Sequence, residues 1–427
     1  MNKITKTLAL NGGRSIRSQE SWIKWPRYTE EIGNRVNEAL KSGRWAISGP
    51  YVESPLFEQE FARQYAEFNN VRYCVPTANG SSALVIALEA LGIGMGDEVI
   101  VPVLTWVATA SAVLRVNATP IFVDIDPDNL CLSISATHSA ITKQTKAIIP
   151  VHLHHSMADM DAFIALSKDT GIPLIEDAAQ AHGAIWRGSK AGSMGHLGIF
   201  SFQQSKVLTS GEGGAVITND EKLYQRLQQL RADSRTWSSK PRKLDGMQLI
   251  TSGKIMGANY CLSEIQAAIL LSQLPYLEEQ LEIQAKNAEY LDQKLALLGS
   301  IYPLKQPSGL QRRTVYEYIV CLDRNSFGNS SIERICNALK AELGLSFYPP
   351  DIPLHQSLLY QPLTKKRFSN TIDRSKILEN LMNIFPVAQY AAQNSVICHH
   401  SAFLGSKSDM DDIVRAFEKI ITYKNEL

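Results

Sequence analysis

The chain has 427 residues, a formal net charge of +1, and hydrophobic and charged fractions of 44% and 20%. This length is too great for one small domain, and the composition is typical of a globular protein. Nucleic-acid-binding surfaces usually carry an excess of basic residues, so we expect no nucleic-acid partner. No apolar stretch has the roughly 20 residues that a membrane span needs. Residues 1–17 do not resemble a signal peptide, so we expect a cytoplasmic protein without a membrane partner.

The cysteines and histidines do not predict a metal site. The six cysteines are scattered and form no Cys-x-x-Cys pair, whereas zinc sites and disulfide frameworks need clustered ligands. His152, His154 and His155 lie close together, but no acidic residue stands at a ligand spacing from them. We therefore expect separate thiols and no bound metal.

The predicted elements begin with a polar, turn-rich segment over residues 1–50 and an amphipathic helix over Ser54–Phe68. From Tyr73 onward, short apolar runs alternate with helical segments, which predicts a mostly parallel sheet covered on both faces. The predicted strands are Tyr73–Pro76, Val99–Val101, Pro120–Val123, Ala147–Val151, Pro173–Ile175, Ile199–Phe202 and Ala215–Thr218. The helices predicted between them are Ser81–Leu91, Thr105–Val116 and Asp159–Lys168.

The second half of the chain predicts a helix over Asp220–Leu230, a long polar loop over Arg231–Ala258 and a long helical pattern over Leu262–Leu298. Pro275 lies inside that pattern and should kink or divide the helix. A smaller α/β unit follows, with the strand Tyr316–Leu322 and the helices Ser331–Glu342 and 408–423. We therefore predict an α/β protein with an N-terminal segment (1–50), a large domain (51–300) and a small C-terminal domain (301–427).

Lys206 is the first residue whose setting indicates chemistry. An apolar strand ends, a serine and two glutamines follow, and Lys206 then stands before the Gly-rich turn 211–214. A lysine at a strand end in a polar pocket is typical of an amine that forms a Schiff base, and partial burial would lower its pKa and favour the nucleophilic neutral form. Taken alone, such a lysine is most often an ordinary surface residue.

Asp177 follows the predicted strand Pro173–Ile175, in the order Glu176, Asp177 and then Gln180. An acid at the carboxyl end of a parallel strand faces the crevice where such sheets bind ligands. We expect Asp177 to face that crevice and Glu176 to face the other way, because side chains alternate along a strand. The alternative for a lone aspartate here is a loop cap.

Two further segments stand where strands give way to helices. Thr77–Leu84 contains small residues and hydroxyls at a helix start, where free N–H groups bind anions, but it matches neither a dinucleotide fingerprint nor a Walker lysine loop. Thr105 and Trp106 follow the strand Val99–Val101, and a tryptophan there can stack on a flat ring or belong to the core.

Together these segments resemble the sugar aminotransferases of the DegT/DnrJ/EryC1/StrS family. Those enzymes have fold type I of the pyridoxal-phosphate (PLP) enzymes, the fold of aspartate aminotransferase. The resemblance runs in family order over most of the chain. It rests on the stretches Gly80–Leu84, Gly96–Pro102, Thr105–Trp106, Thr145–His152, Glu176–Gln180, Ser201–Gly214 and Gly257–Glu264.

The resemblance implies a role for each matching residue. Lys206 would carry PLP as a Schiff base and move protons, and Asp177 would pair with the pyridine nitrogen. Asn259 would reach the phosphate of a neighbouring subunit, which implies a homodimer with shared sites. Gln180 would contact the ring hydroxyl of PLP, and Trp106 would stack on its pyridine ring. The residues implied to bind the phosphate are Gly80, Ser81, Ser82 and Ser201.

The similarity is sharper to one branch, the glutamine:scyllo-inosose aminotransferases, over Arg44–Gly49, Gln228–Arg235 and Val396–His400. It implies transfer of an amino group from L-glutamine or L-glutamate to a cyclitol ketone such as scyllo-inosose, in aminocyclitol biosynthesis. Relatives usually carry an aromatic residue and a glycine where this chain has His154 and His155, so that loop is expected to differ in shape. The polar candidates for substrate contact are Arg231, Arg235, His399 and His400.

Three alternatives stay open. The acceptor could be a nucleotide-linked keto sugar, or the protein could be a PLP enzyme similar to the 3-amino-5-hydroxybenzoate synthases. Relatives that dehydrate their substrates replace the lysine by histidine, so Lys206 disfavours that branch. A regulator built on this fold would need a DNA-binding module, and residues 1–50 show no clear helix-turn-helix.

Overall fold

The computed structural model describes residues 7–17, 22–238, 243–369 and 372–427. The helices are α1 (Glu30–Lys41), α2 (Phe57–Phe68), α3 (Gly80–Ala90), α4 (Ala108–Arg115), α5 (Ile134–Ala140), α6 (Met160–Thr170), α7 (Glu221–Arg231), α8 (Glu264–Ala296), α9 (Ile332–Leu343), α10 (Ile372–Met382), α11 (Pro386–Asn394) and α12 (Lys407–Thr422). The strands are β1 (Tyr73–Thr77), β2 (Glu98–Pro102), β3 (Thr119–Val123), β4 (Thr145–Ile148), β5 (Ile175–Asp177), β6 (Ile185–Trp186), β7 (Ser189–Lys190), β8 (Leu197–Ser201), β9 (Gly214–Thr218), β10 (Arg235–Trp237), β11 (Leu249–Thr251), β12 (Ile301–Pro303), β13 (Leu310–Arg312), β14 (Glu317–Leu322), β15 (Phe347–Tyr348) and β16 (Ser395–His399).

The large sheet has the strand order β1-β9-β8-β5-β4-β2-β3. Ladders join β1 to β9, β9 to β8, β8 to β5, and β4 to β2 to β3. The parallel bridges from Ile148 to Leu174 and from Val151 to Asp177 connect the two halves. Only β9 among these strands runs antiparallel to its neighbours, which confirms the predicted mostly parallel sheet. The carboxyl ends of the parallel strands meet at one edge, and the ends of β1, β5 and β8 carry Thr77, Asp177 and Ser201 there.

Burial on both faces explains the sequence of this sheet. Every residue of β2 and of β9 is buried, and α3 is buried along nearly its whole length. Strands that are covered on both faces have continuous runs of apolar residues in their sequence, because neither face contacts water. The strand and helix positions predicted from those runs are confirmed, with ends that move by a few residues.

A second core lies around the antiparallel sheet β12-β14-β16-β15, which is packed by α9 and α12. Leu8, from the start of the chain, is buried in this second core, whereas Leu354, Phe368 and Phe385 are buried in the core of the large sheet. Asn380 on α10 donates to the carbonyl of Pro120 at 2.6 Å. The chain after residue 300 therefore packs in both cores, and the domain limits at residues 50 and 300 stay predictions.

One local prediction is wrong, and a second is wrong in part. The segment Arg231–Ala258, predicted as a loop, contains the paired strands β10 and β11, which at three residues each are too short to show a strand periodicity. Pro275 does not divide the long helix, because α8 runs through it as one element, and a kink there stays a prediction. A proline removes one hydrogen bond, but α8 packs against α1, α2 and α12, and this packing keeps the helix in one piece.

Buried ion pairs join four segments of the large core. Arg231 at the end of α7 pairs with Glu58 of α2, and Arg44 pairs with Glu264 at the start of α8. Glu264 Oε2 also accepts a hydrogen bond from the backbone N–H of Glu58 at 3.0 Å. Arg231 donates further to the carbonyl of Pro76 at 3.0 Å. The network therefore holds α2, α7 and α8 against the end of β1.

Replacing Arg231 by alanine should destabilise the protein by about 3–5 kcal/mol, because the Glu58 carboxylate would stay buried without its partner. The free energy of unfolding from urea titrations followed by circular dichroism measures this loss. Arg63→Ala is the matched control, since Arg63 pairs with Glu60 and Glu67 on the exposed face of α2 and its loss should change stability little. Equal stability of Arg231→Ala and the wild type would contradict the assigned role.

Candidate active site

A cavity of about 690 Å³ opens at the carboxyl edge of the large sheet. It is bounded by the start of α3, the segment before α4, the ends of β5 and β8, and residues from the part of the chain after residue 300. Seven of the residues predicted to form a site line it: Gly80, Ser81, Trp106, Asp177, Gln180, Ser201 and Lys206.

Lys206 stands in a tight turn just beyond β8. Its backbone N–H donates to the carbonyl of Gln203 at 2.8 Å, and Phe202 donates to Gly213 at 2.8 Å, so the chain folds back at once into β9. Lys206 is only 9% exposed, and its Nζ lies 3.7 Å from the centre of the Tyr316 ring. A cation over an aromatic face is stabilised by the ring quadrupole. The turn thus presents a nearly buried amine to the cavity.

Three side chains hold the backbone of this turn from behind. The rings of His399 and His400 place their Nε2 atoms 3.2 Å and 3.1 Å from the carbonyl oxygen of Ser205. Trp25 Nε1 donates to the carbonyl of Lys206 at 3.1 Å. His399 and His400 are not among the residues that line the cavity, which departs from the prediction that they meet a substrate. Their position indicates that they fix the turn that carries Lys206.

Burial lowers the pKa of Lys206 to about 8, against an ordinary value of 10.5. The carboxylates of Glu317, Asp177 and Asp351 favour the charged amine and oppose part of this effect. At pH 7 about one amine in ten would then be neutral, compared with fewer than about one in a thousand for an ordinary lysine. A neutral amine is the form that attacks a carbonyl carbon and accepts a proton.

Asp177 and Glu176 face opposite sides of β5, as strand geometry predicts. Asp177 Oδ2 accepts a hydrogen bond from Thr109 Oγ1 at 2.9 Å, and burial raises the pKa of Asp177 above its ordinary value. Glu176 is fully buried and accepts from His152 Nε2 at 3.1 Å and from the backbone N–H of Met194 at 2.7 Å. Glu176 therefore has a structural role, while Asp177 presents a carboxylate that a cationic group in the cavity would stabilise.

The start of α3 forms an anion-binding corner. Asn79 caps the helix, and the Ser82 hydroxyl donates back to the Asn79 carbonyl at 2.9 Å. Ser82 thus departs from its predicted cofactor role, since its hydroxyl completes the cap and it does not line the cavity. A Cβ on Gly80 would lie 2.9 Å from Ser201 Cβ, so only glycine permits this close approach. The N–H groups of Gly80 and Ser81, in the first turn of the helix, have no acceptor within it and are free to bind an anion in the cavity.

Trp106 and Gln180 complete the part of the cavity predicted from sequence. The Trp106 side chain is 52% exposed although it lines a concave site, so a flat face is available for stacking. Gln180 Oε1 accepts from the backbone N–H of His154 at 2.7 Å, which turns the amide donors of Gln180 toward other partners.

Arg231, Arg235 and Asn259 do not line this cavity. Arg231 is completely buried in the ion-pair network, which departs from its predicted substrate role. Arg235 pairs with Asp233 at 3.1 Å. Asn259 is exposed and its Oδ1 accepts from the Cys261 N–H at 3.3 Å, so its predicted role toward a neighbouring subunit stays a prediction.

Several lining residues escaped the sequence analysis. Thr109, Tyr316, Glu317 and Asp351 come from three segments far apart in sequence, and only packing brings them beside Lys206. Tyr316 and Glu317 stand at the start of a predicted strand, a place where polar side chains often face a site. Apart from that position, no spacing or motif marks them.

The comparisons with known proteins agree with this geometry. The model of the DegT/DnrJ/EryC1/StrS aminotransferase family matches residues 26–396. An L-glutamine:2-deoxy-scyllo-inosose aminotransferase of Micromonospora echinospora is 48% identical over 98% of this chain and 99% of its own. An L-glutamine:scyllo-inosose aminotransferase of Streptomyces griseus is 39% identical over 99% of both chains. The crystal structure of a 3-amino-5-hydroxybenzoic acid synthase superposes with a TM-score of 0.80 at 27% identity, covering 96% of this chain and 99% of that one.

The buried amine, the carboxylate at the end of β5 and the anion-binding helix start, taken with these relatives, define an aminotransferase of fold type I. The chain belongs to the DegT/DnrJ/EryC1/StrS aminotransferase family.

The pKa of Lys206 predicts how the amine reacts. In protein freed of small ligands, trapping of an aromatic aldehyde on Lys206 by borohydride reduction should speed up with pH and level off above about pH 8. Mass spectrometry of the labelled peptide would follow the rate, and exposed lysines such as Lys286 serve as the internal control. Glu317→Gln should move the midpoint to lower pH, because it removes the first of the charges that favour the protonated amine. A midpoint near 10.5 for Lys206 would contradict this description of the site.

Proposed function

We propose that the protein is a PLP-dependent aminotransferase that moves an amino group from L-glutamine, or L-glutamate, to a cyclitol ketone such as scyllo-inosose. The observation that carries the proposal is the nearly buried Lys206 amine inside a cavity that also holds Asp177 and Trp106. The identity of 48% over nearly the whole chain to an L-glutamine:2-deoxy-scyllo-inosose aminotransferase supports the choice of substrates.

The residues present fit PLP. The start of α3, with Gly80, Ser81 and Ser201, offers N–H and hydroxyl donors for the phosphate. Trp106 offers a flat face for the pyridine ring. Asp177 offers a carboxylate for the pyridine nitrogen. Because burial raises the pKa of this carboxyl, it would readily share the proton of the ring nitrogen. When bound, PLP supplies an aldehyde carbon and an electron sink.

The chain's own groups then account for the proton movements. Lys206 Nζ, once released by the amino donor, takes the proton from the donor's α-carbon and delivers it within the cavity as a general acid. Its lowered pKa suits both steps at near-neutral pH. Asp177 keeps negative charge at the back of the cavity, and Thr109 holds the carboxylate in place through the 2.9 Å hydrogen bond. The keto acid product leaves before the ketone acceptor enters, so the kinetics should be ping-pong.

A homodimer is part of this proposal. Asn259 is exposed and lies outside the cavity of its own chain, as expected of a residue that serves a neighbouring subunit. The segment before it exposes Leu244, Met247, Ile250 and Met256, and large apolar side chains gathered in one exposed segment are typical of an interface. The cytoplasmic location and the lack of a nucleic-acid partner stay predictions from the sequence.

An absorbance spectrum of the purified protein with PLP tests the donor half of the reaction. We expect a visible band that bleaches on addition of L-glutamine without any acceptor and returns when scyllo-inosose is added. Lys206→Ala should show neither the band nor activity. A band that glutamine and glutamate leave unchanged would contradict the amino donor, and return of the band with a nucleotide-linked keto sugar but with no cyclitol ketone would favour the alternative acceptor.

Asp177→Asn should weaken cofactor binding and slow the reaction. An amide in place of the carboxylate removes a charge-assisted hydrogen bond, which corresponds to a loss of roughly 10- to 100-fold in kcat. The rate of the glutamine half-reaction, followed by stopped-flow absorbance, measures the effect. Glu176→Asp should lower the temperature of unfolding instead, because Glu176 holds backbone N–H groups and does not line the cavity. A rate within about twofold of the wild type for Asp177→Asn would contradict its role.

A further inference from the structure

Two carboxylates in the cavity act on the pKa of Lys206 but have no other task in the cofactor chemistry proposed above. Glu317 and Asp351 line the cavity, and both act electrostatically on Lys206. They come from β14 and from the segment after β15, on the C-terminal part of the chain. Neither was selected by the sequence analysis, and nothing in the phosphate or ring contacts proposed above uses them.

Glu317 is held in one orientation by His154. His154 Nδ1 lies 3.0 Å from Glu317 Oε2, and a ring nitrogen that faces a carboxylate carries the proton. The backbone of His154 also donates to Gln180 and accepts from the N–H of Tyr316 at 3.1 Å. It adopts a left-handed conformation with φ of 57°, which a residue other than glycine adopts at some cost. The loop thus fixes Glu317, Gln180 and Tyr316 relative to one another.

Both carboxylates keep hydrogen-bond-accepting capacity that the described residues do not use. Within the described part of the chain, Glu317 Oε1 makes no hydrogen bond, and the Asp351 side chain makes none at all. An ionised carboxylate is an acceptor only, so the partners that suit these oxygens are hydroxyl or amine donors. Adjacent hydroxyls on a polyhydroxylated ring provide such donors without adding charge.

The charges that line the cavity disfavour a phosphorylated acceptor. The lining residues in the described ranges include the carboxylates of Asp177, Glu212, Glu317 and Asp351 and the cations Lys206 and Arg115. Once Asp177 and Lys206 are assigned to the cofactor, three carboxylates face one arginine. A nucleotide diphosphate would add further negative charge to this site, whereas a neutral ring would not.

We propose that Glu317 and Asp351 accept hydrogen bonds from the ring hydroxyls of the ketone acceptor, with His154 as the positioning residue for Glu317. The pair thereby selects an uncharged polyhydroxylated ring ketone over a nucleotide-linked one. The inference rests on the proposed aminotransferase function and adds the residues that set its acceptor class. The amino donor carries its own carboxylate, which this pair of carboxylates would repel.

The two half-reactions separate this role from a structural one. For Glu317→Gln and Asp351→Asn we expect the single-turnover rate with L-glutamine to report only the lowered pKa of Lys206, because both carboxylates favour its charged form. The kcat/KM for scyllo-inosose should fall roughly 10- to 100-fold, as for the loss of a hydrogen bond to a charged group. A change in the pKa of Lys206 would act on both half-reactions, so the ratio of the two effects isolates acceptor binding. Glu279→Gln is the matched control, since Glu279 is exposed on α8 away from the cavity.

His154 is tested by a pair of variants that both tolerate its left-handed backbone. His154→Gly removes the ring and should lower kcat/KM for scyllo-inosose by about 10-fold. His154→Asn places an amide donor near the position of Nδ1 and should recover most of that loss. Failure of His154→Asn to recover any activity, with a normal thermal unfolding curve, would overturn the positioning role.

Three outcomes judge the carboxylate pair itself. Equal losses in both half-reactions for Glu317→Gln and Asp351→Asn would show a structural role and overturn the inference, as would no loss in either. A preserved preference for scyllo-inosose over a nucleotide-linked keto sugar in the double variant would also overturn it. A wild-type protein that does not respond to glutamine, or that aminates no cyclitol ketone, would instead contradict the proposed function, and this is seen before any variant is made.

Discussion

The burial of one lysine amine is the constraint on which the active site depends. An ammonium group removed from water is destabilised, and the protein offsets this cost in two ways. The ring of Tyr316 and the carboxylates of Glu317, Asp177 and Asp351 favour the charged form, while the lowered pKa allows the amine to lose its proton near neutrality. The same amine is therefore stable enough to be held in the cavity and neutral often enough to react.

Holding that amine in place requires the backbone behind it to be rigid. His399 and His400 contact the Ser205 carbonyl, and Trp25 contacts the Lys206 carbonyl, so segments from both ends of the chain converge on one turn. Burial lowers the pKa of His400 well below its ordinary value, which keeps the ring neutral beside the lysine. The polar residues near the lysine thus divide between those that face the ligand and those that support the turn.

The cavity lies where residues from the chain after residue 300 meet the carboxyl edge of the large sheet. The sheet supplies the helix start at Gly80, the carboxylate of Asp177 and the turn of Lys206, all of which suit a cofactor. The C-terminal part supplies Tyr316, Glu317 and Asp351, which line the same cavity. The loop of His154 contacts both groups, since it bonds to Gln180 on one side and to Glu317 on the other. A change in this loop would therefore affect both Gln180 and Glu317.

The sequence by itself determined the mostly parallel sheet and the set of cavity residues at strand ends, because buried strands need apolar runs and the residues that follow them must lie at one edge. It pointed to Lys206, Asp177 and Trp106 on that basis, and the family resemblance added Gln180. Neither the polarity of Arg231 and Ser82 nor the family similarity shows which way their side chains face. An arginine buried in an ion pair with Glu58 cannot be distinguished by sequence from one that binds a substrate. Only the tertiary structure decided that His399 and His400 support the lysine turn and that Glu317 and Asp351 line the cavity beside it, because those contacts depend on how segments far apart in the sequence pack together.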